Sequence, residues 1–161
     1  MSEELFNIFI DAINNSNMLV KDYPIKLTTP RLKSGTESES TDCVAYTIRA
    51  ALSACGVTKS LSEIKAWLEN TYGTEGVPGN SISAALNHYV NAHQISLPST
   101  YNSSSSLKII IIERISASQG HSCILLVVSN GAVMYQDNQN SGVNRFCFST
   151  DIVYSFSVSK K

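Results

Sequence analysis

Apolar residues recur at helical spacing through the first half of the chain and at strand spacing through the second. Leu5, Ile8, Phe9, Ala12 and Ile13 predict an N-terminal helix ending near Asn14-Asn15-Ser16-Asn17, and residues Ser34 to Thr41 hold only Ser, Thr, Gly and Glu, a loop composition. That loop delivers the chain to a helix with Asp42 as its natural N-cap, Cys43 in its first turn and Gly56 as its stop. Ser60 and Glu63 have capping-box spacing ahead of Ile64, Trp67 and Leu68, which predicts a second helix ending near Gly73. Ile82, Leu86, Tyr89 and Val90 predict a third, from about Ser81 to His93. After the polar stretch Ser99–Ser106 the period changes, and runs at 107–115, 121–128, 132–137, 144–148 and 152–158 read as strands. The gaps between them are too short for helical crossovers, so the expected class is α+β, with N-terminal helices packed on a C-terminal antiparallel sheet.

A chain of 161 residues, 43% hydrophobic and 16% charged, fits one domain with a real core. The formal net charge of −1 supplies no basic field for a phosphate backbone, so nucleic acid is not expected as a partner. The acidic start, Met1-Ser2-Glu3-Glu4-Leu5-Phe6, lacks the basic flank and apolar core of a secretory signal, and no apolar run approaches the roughly 20 residues of a membrane span. The composition is that of a protein cytoplasmic where it is made. Export into a target cell by a signal-independent system stays open. Cys43, Cys55, Cys123 and Cys147 read as free thiols, because the chain is too large to need staples.

An isolated cysteine is ordinarily a small core hydrophobe, and Cys55, Cys123 and Cys147 fit that description. Cys43 differs in its place: a helix N-terminus favours thiolate over thiol, and a polar loop precedes it with an expected open approach. His121 opens a strand whose apolar residues occupy both parities, so it is held at the rim of a covered sheet. His88 and His93 lie on or at the end of the third predicted helix, on different faces. Cysteine as nucleophile and histidine as base need a group to orient the imidazole. If Ser129-Asn130-Gly131 is a three-residue hairpin loop, Val128 faces Ala132, and Asp137 and Gln139 share a face with His121. If Asn130-Gly131 is a two-residue turn, Asn138 takes that place. Asp137 is the favoured partner, since a carboxylate stabilises an imidazolium more strongly than an amide does.

An oxyanion needs donors as well. The Cys43 backbone N–H is one candidate. No Gln precedes Cys43, and Glu37 stands six residues ahead of it, so the second donor is expected from the Ser38–Asp42 backbone or from the Ser40 or Thr41 hydroxyl. Asp42, Thr41 and Gln139 are the candidates for oxyanion or substrate contacts. No CxxC or HxxxH pair exists, and no metal or cofactor is expected.

The order of Cys43, Gly56, Ser60-Leu61-Ser62-Glu63-Ile64, Gly76-Val77-Pro78-Gly79-Asn80-Ser81, Gly120-His121 and Asp137 to Gly142 resembles papain-like cysteine hydrolases of the small bacterial kind. One similar branch is the bacteriocin-processing peptidase-like group. The other is the glutamine-deamidase toxins and effectors, whose DxQxG motif is similar to Asp137-Asn138-Gln139-Asn140-Ser141-Gly142, with one extra residue before the Gly. Val44 stands where the peptidases usually carry Gly, which favours the deamidase branch. The resemblance implies a papain-like fold, a single domain over 1–161 with a bracing segment at 1–33 and a catalytic core at 41–142, and a Cys43-His121-Asp137 triad acting on a host or competitor protein. A peptidase of the same fold and a catalytically silent protein-binding domain are the alternatives.

Overall fold

The computed structural model describes residues 31–32, 42–74, 76–103, 108–115, 119–140 and 142–161. The expected N-terminal helix and the Ser34–Thr41 loop lie outside the described residues. Helix α1 (Asp42–Ala54) starts at the loop boundary and unwinds at Gly56, whose φ of 79° is a left-handed conformation that suits glycine. Helix α2 (Leu61–Tyr72) is capped by Ser60, whose hydroxyl accepts the Glu63 N–H at 3.2 Å. Gly73, at φ 84°, ends it.

Helix α3 (Ile82–Tyr89) is shorter than its apolar pattern suggests. Val90 is already extended, and the chain enters a strand at Asn91 instead of continuing as helix to His93. The Asn87 side chain enforces the break. Its amide donates to the Ala92 carbonyl at 3.0 Å and its oxygen accepts the Ala92 N–H at 3.0 Å, so the amide pairs with the incoming strand as a neighbouring backbone would. His93 is therefore a strand residue, exposed, while His88 stays on the helix and stacks on Trp67 with ring centroids 3.7 Å apart.

The strands form one mixed, mainly antiparallel sheet: β1 (Arg31–Leu32), β2 (Val77–Pro78), β3 (Asn91–Ile95), β4 (Tyr101–Asn102), β5 (Lys108–Arg114), β6 (Gln119–Ser129), β7 (Ala132–Asp137), β8 (Val143–Phe148) and β9 (Ile152–Ser159). The principal order is β2-β1-β6-β5-β9-β3, with β7 and β8 continuing from the far part of β6. The β1–β6 pairing is parallel. The later strand runs stand where the pattern put them, whereas the two-residue strands and β3 carry too little periodicity to be read.

Strand β5 shows why its sequence reads as one unbroken apolar run. Ile110 and Ile112 join Phe156 and Val158 in a core shared with the three helices, while Ile109 and Ile111 join Cys123, Leu125, Val133, Tyr135 and Cys147 in a second core on the other face. Both faces are covered, so alternation disappears. Strand β9 lies beyond residue 142 yet sits inside the sheet, between β5 and the edge strand β3.

The β6–β7 hairpin differs from the favoured three-residue loop. Asn130 and Gly131 both have positive φ, 51° and 80°, and Ser129 faces Ala132, the pattern of a two-residue primed turn. Asn87→Ala should remove both bonds at the α3–β3 junction and lower stability by about 1–3 kcal/mol, read from the midpoint of urea unfolding. An unchanged midpoint would assign the helix break to another cause.

Candidate active site

Helix α1 sets one half of the site. Its buried stripe, Val44, Ala45, Ile48, Ala51 and Leu52, fixes how the helix rolls, and Cys43 in the first turn goes inward with it. Thr47, one turn after Cys43, is fully buried and donates its hydroxyl to the Ser122 carbonyl of β6 at 3.0 Å. Strand β6 is paired with β5 from Gly120 to Ile124. Along its other side β1 reaches Gly120 and β7 begins at Ile124, so the carbonyl that Thr47 takes belongs to the interval between them. The bond docks the start of α1 beside His121.

His121 and Asp137 set the other half, 4% and 2% exposed. His121 Nε2 donates to Asp137 Oδ1 at 2.9 Å, and the second carboxylate oxygen, Oδ2, accepts Arg145 Nε at 3.0 Å. Asp137 reaches this position because the hairpin corrects itself. The two-residue turn alone would put Asn138 on the His121 face. Between Leu125 and Val127, however, the register shifts: Val127 faces Met134 but Leu125 faces Tyr135. The bulge at Leu126 absorbs one residue and returns Asp137 to the face of His121.

With Nε2 given to Asp137, the same imidazole also interacts with the Cys43 side chain. Burial on its own would push His121 toward the neutral form, but the bonds to Asp137 and Cys43 and the charges of both partners outweigh it and lift the imidazole from 6.5 to about 10. His121 is thus an imidazolium at neutral pH, between a carboxylate and a sulfur.

A second polar pair lies behind the histidine. Glu113 faces His121 across the β5–β6 ladder, is fully buried, and accepts the Tyr135 hydroxyl on Oε1 at 2.9 Å. Burial pushes the Tyr135 hydroxyl far up, so it serves as a donor. Burial also raises the Cys123 thiol well above its ordinary range, with the nearby Glu113 charge adding to the effect. Cys123 and Cys147 are fully buried. Cys55, expected at a buried helix end, is half-buried.

Cys43 itself is 0% exposed, unlike the open thiol expected after a polar loop. The open cleft nearby lies further along α1, lined in part by Tyr46 and Asn138, with a volume of about 430 Å³. Asn138, the alternative orienting residue, lines that cleft, and it is Asp137 that His121 bonds. Gln139 stands in the short 3-10 turn Asn138–Asn140 that packs on α1, and neither atom of its side-chain amide has a partner among the described residues. Asp42 is the first residue of α1, while Thr41 lies outside the described residues. Thr47, Arg145 and Glu113 were not legible as site residues. Only the i, i+4 spacing of Cys43 and Thr47 on one helix carried a signal for any of them.

No protein-family model, curated protein or solved structure matches this chain. Among the described residues no group of His, Cys, Asp and Glu side chains is arranged to hold a metal ion, and no helix is long and apolar enough to cross a membrane.

Thr47→Val keeps the side-chain shape but strands the Ser122 carbonyl, so stability should fall by about 1–3 kcal/mol in denaturant unfolding. A loss below that range would mean the bond does not dock the helix. Asp137→Asn should bring the His121 titration, followed by NMR of the ring protons, down from about 10 toward 6.5. A folded-state value above the unfolded one stabilises fully below pH 6.5 and loses that contribution as pH rises through about 10. The wild-type chain should therefore lose stability across that window, and Asp137→Asn should flatten the loss. An unmoved titration would remove Asp137 as the imidazole's partner.

Proposed function

We propose that this chain is a papain-like cysteine hydrolase acting on a polypeptide carboxamide, with a glutamine side chain as its preferred target. The observation that carries the reading is the buried array of Cys43, His121 and Asp137, in which the imidazole bonds the carboxylate and interacts with the Cys43 side chain. A cysteine sulfur at a helix start beside an imidazole is the arrangement of a nucleophile with its base.

In this scheme the Cys43 sulfur attacks the carboxamide carbon, and the C=O π pair moves to oxygen. The Cys43 N–H at the start of α1 and the unpartnered amide of Gln139 are the donors suited to that oxyanion. His121 passes its proton to the departing nitrogen, ammonia leaves and a thioester remains. His121, now neutral, takes a proton from water as the water attacks the thioester. The glutamate product is released and the sulfur returns to its paired state. Asp137 holds the ring and its charge throughout, and Arg145 holds Asp137. A peptide bond would follow the same steps with an amine leaving. The full burial of Cys43 supports a competing reading, a protein-binding domain in which the cysteine fills core.

Incubation with candidate partner proteins and intact-mass analysis separates these readings. Deamidation adds the mass of an NH₂-to-OH exchange, cleavage splits the partner, and a binding domain changes neither. Cys43→Ala and His121→Ala should abolish turnover, and Asp137→Ala should lower it by up to about 10⁴, the scale set by loss of an imidazole partner. His88→Ala and His93→Ala should remain active, since one ring stacks on Trp67 and the other lies exposed on β3. Iodoacetamide should label Cys55 through its exposure, Cys43 only while His121 is present, and Cys123 and Cys147 last. Labelling of Cys43 at an unchanged rate in His121→Ala would remove the activated thiol and favour the binding domain.

A further inference from the structure

The cleft along α1 has a chemistry the triad does not use. Tyr46, Arg49 and Ser53 line it from the helix, Lys59 from the segment that follows, and Asn138 and Gly142 from the turn after Asp137. The helical residues lie on a stripe headed by Cys43, at steps of three or four residues. Arg49 is held over the Tyr46 ring, 5.0 Å from its centroid, and makes no ion pair among the described residues. The Asn138 side-chain nitrogen is shielded from solvent and also lacks a partner among the described residues. The Gly142 N–H to Asp137 carbonyl bond of 2.9 Å closes the turn that presents it. Lys59 adds a third donor, drawn partly aside by Glu63 at 3.5 Å.

Guanidinium, ammonium and amide N–H are all donors, and two of these groups have no acceptor of their own. The missing complement is an acceptor-rich anion of limited size. A nucleic acid backbone is disfavoured, because two cations on a chain of net charge −1 make no extended basic track. Six residues of helix separate Cys43 from Arg49, or roughly 9 Å at about 1.5 Å per residue, which an extended peptide covers in about three residues.

We propose that this cleft is a carboxylate-binding subsite that receives an acidic side chain of the polypeptide substrate, about three residues from the carboxamide or peptide bond presented to Cys43. The assignment of the ligand as substrate rests on the hydrolase reading above. Arg49 supplies the paired donors that match a carboxylate, the Tyr46 ring keeps the guanidinium from folding away, and Asn138 adds a hydrogen bond from the turn side.

Equilibrium binding tests it without requiring turnover. The Cys43→Ala chain is titrated against fluorescein-labelled Gly/Ser peptides that carry one Gln and one Glu, with the Glu placed one to five residues away on either side, and fluorescence anisotropy is followed. The peptide with the acid about three residues from the Gln should bind about tenfold or more tightly than its Glu-to-Gln analogue. Arg49→Gln should erase that preference, Lys59→Gln should weaken it and Arg49→Lys should restore part of it, with circular dichroism showing each variant folded. Equal binding of acidic and neutral peptides, a preference that survives Arg49→Gln, or no dependence on the Gln-to-Glu distance would each overturn the proposal. Tighter binding of a labelled oligothymidylate through Arg49 would overturn it in favour of a phosphate site. Failure of the hydrolase reading shows up elsewhere, in Cys43 alkylation that ignores His121 and in unchanged partner masses.

Discussion

The Asp137 carboxylate is charged, 2% exposed and bonded on both oxygens, to His121 and to Arg145. A buried carboxylate left half-satisfied would cost several kcal/mol or take up a proton. Each of these bonds therefore constrains an element. The His121 bond fixes the approach of β6 to the end of β7, and the Arg145 bond ties β8 to the same point. Arg145 is partly exposed, so its guanidinium is hydrated on one side while it neutralises the charge on the other. That arrangement lets a full negative charge remain inside, and the charge in turn holds His121 as an imidazolium.

Helix α1 meets this strand cluster through a different kind of bond. The apolar stripe of the helix supplies most of the burial, but apolar contacts are non-directional and would tolerate sliding or rolling. The Thr47 hydroxyl on the Ser122 carbonyl is directional and buried, and it lies one turn from Cys43 on one side of the contact and one residue from His121 on the other. It sets the depth of the helix against β6. The Leu126 bulge performs the equivalent service in the sheet, because without it Asn138 would face the histidine and the carboxylate would face away. Sulfur, ring and carboxylate are thus brought together by one side-chain hydrogen bond and one extra residue in a strand.

The helix starts, the strand runs and the places of Cys43 at a helix start and His121 on a strand were legible because they rest on local signals: a cap and a period. What escaped reading is non-local. Nothing near Arg145 in sequence says that it opposes Tyr135 on β7 and so reaches Asp137. Glu113 reads as the charged end of a strand, and only the β5–β6 register shows it fully buried opposite a histidine. The α3 boundary failed because an apolar period continued through Val90 while Asn87 rewired the backbone. The expected three-residue loop set Asp137 beside His121, and the structure pairs the same two residues by a different route. Asn-Gly made the two-residue turn that such dipeptides favour, and the compensating bulge at Leu126 has no mark in an apolar run.

A buried imidazolium flanked by carboxylate and sulfur is an expensive way to fill space. Breaking such a cluster is costly, yet apolar side chains of similar volume in its place are often neutral or stabilising. The surroundings offered that option: Ile111 and Val133 pack as apolar side chains in the second core of the same sheet. Stability alone therefore gives no reason for charge at His121 and Asp137, and still less for spending Arg145 and the Leu126 bulge to retain it. The proposed reaction gives the groups a purpose once the sulfur is counted. In that reaction an imidazole lifted to about 10 would set a cation beside the Cys43 sulfur and supply a proton to a departing nitrogen, two services an apolar residue cannot supply. The donor-lined cleft starts where this cluster ends, on the same helix and the same turn, so the groups that would recognise a polypeptide and those that would react with it share one scaffold.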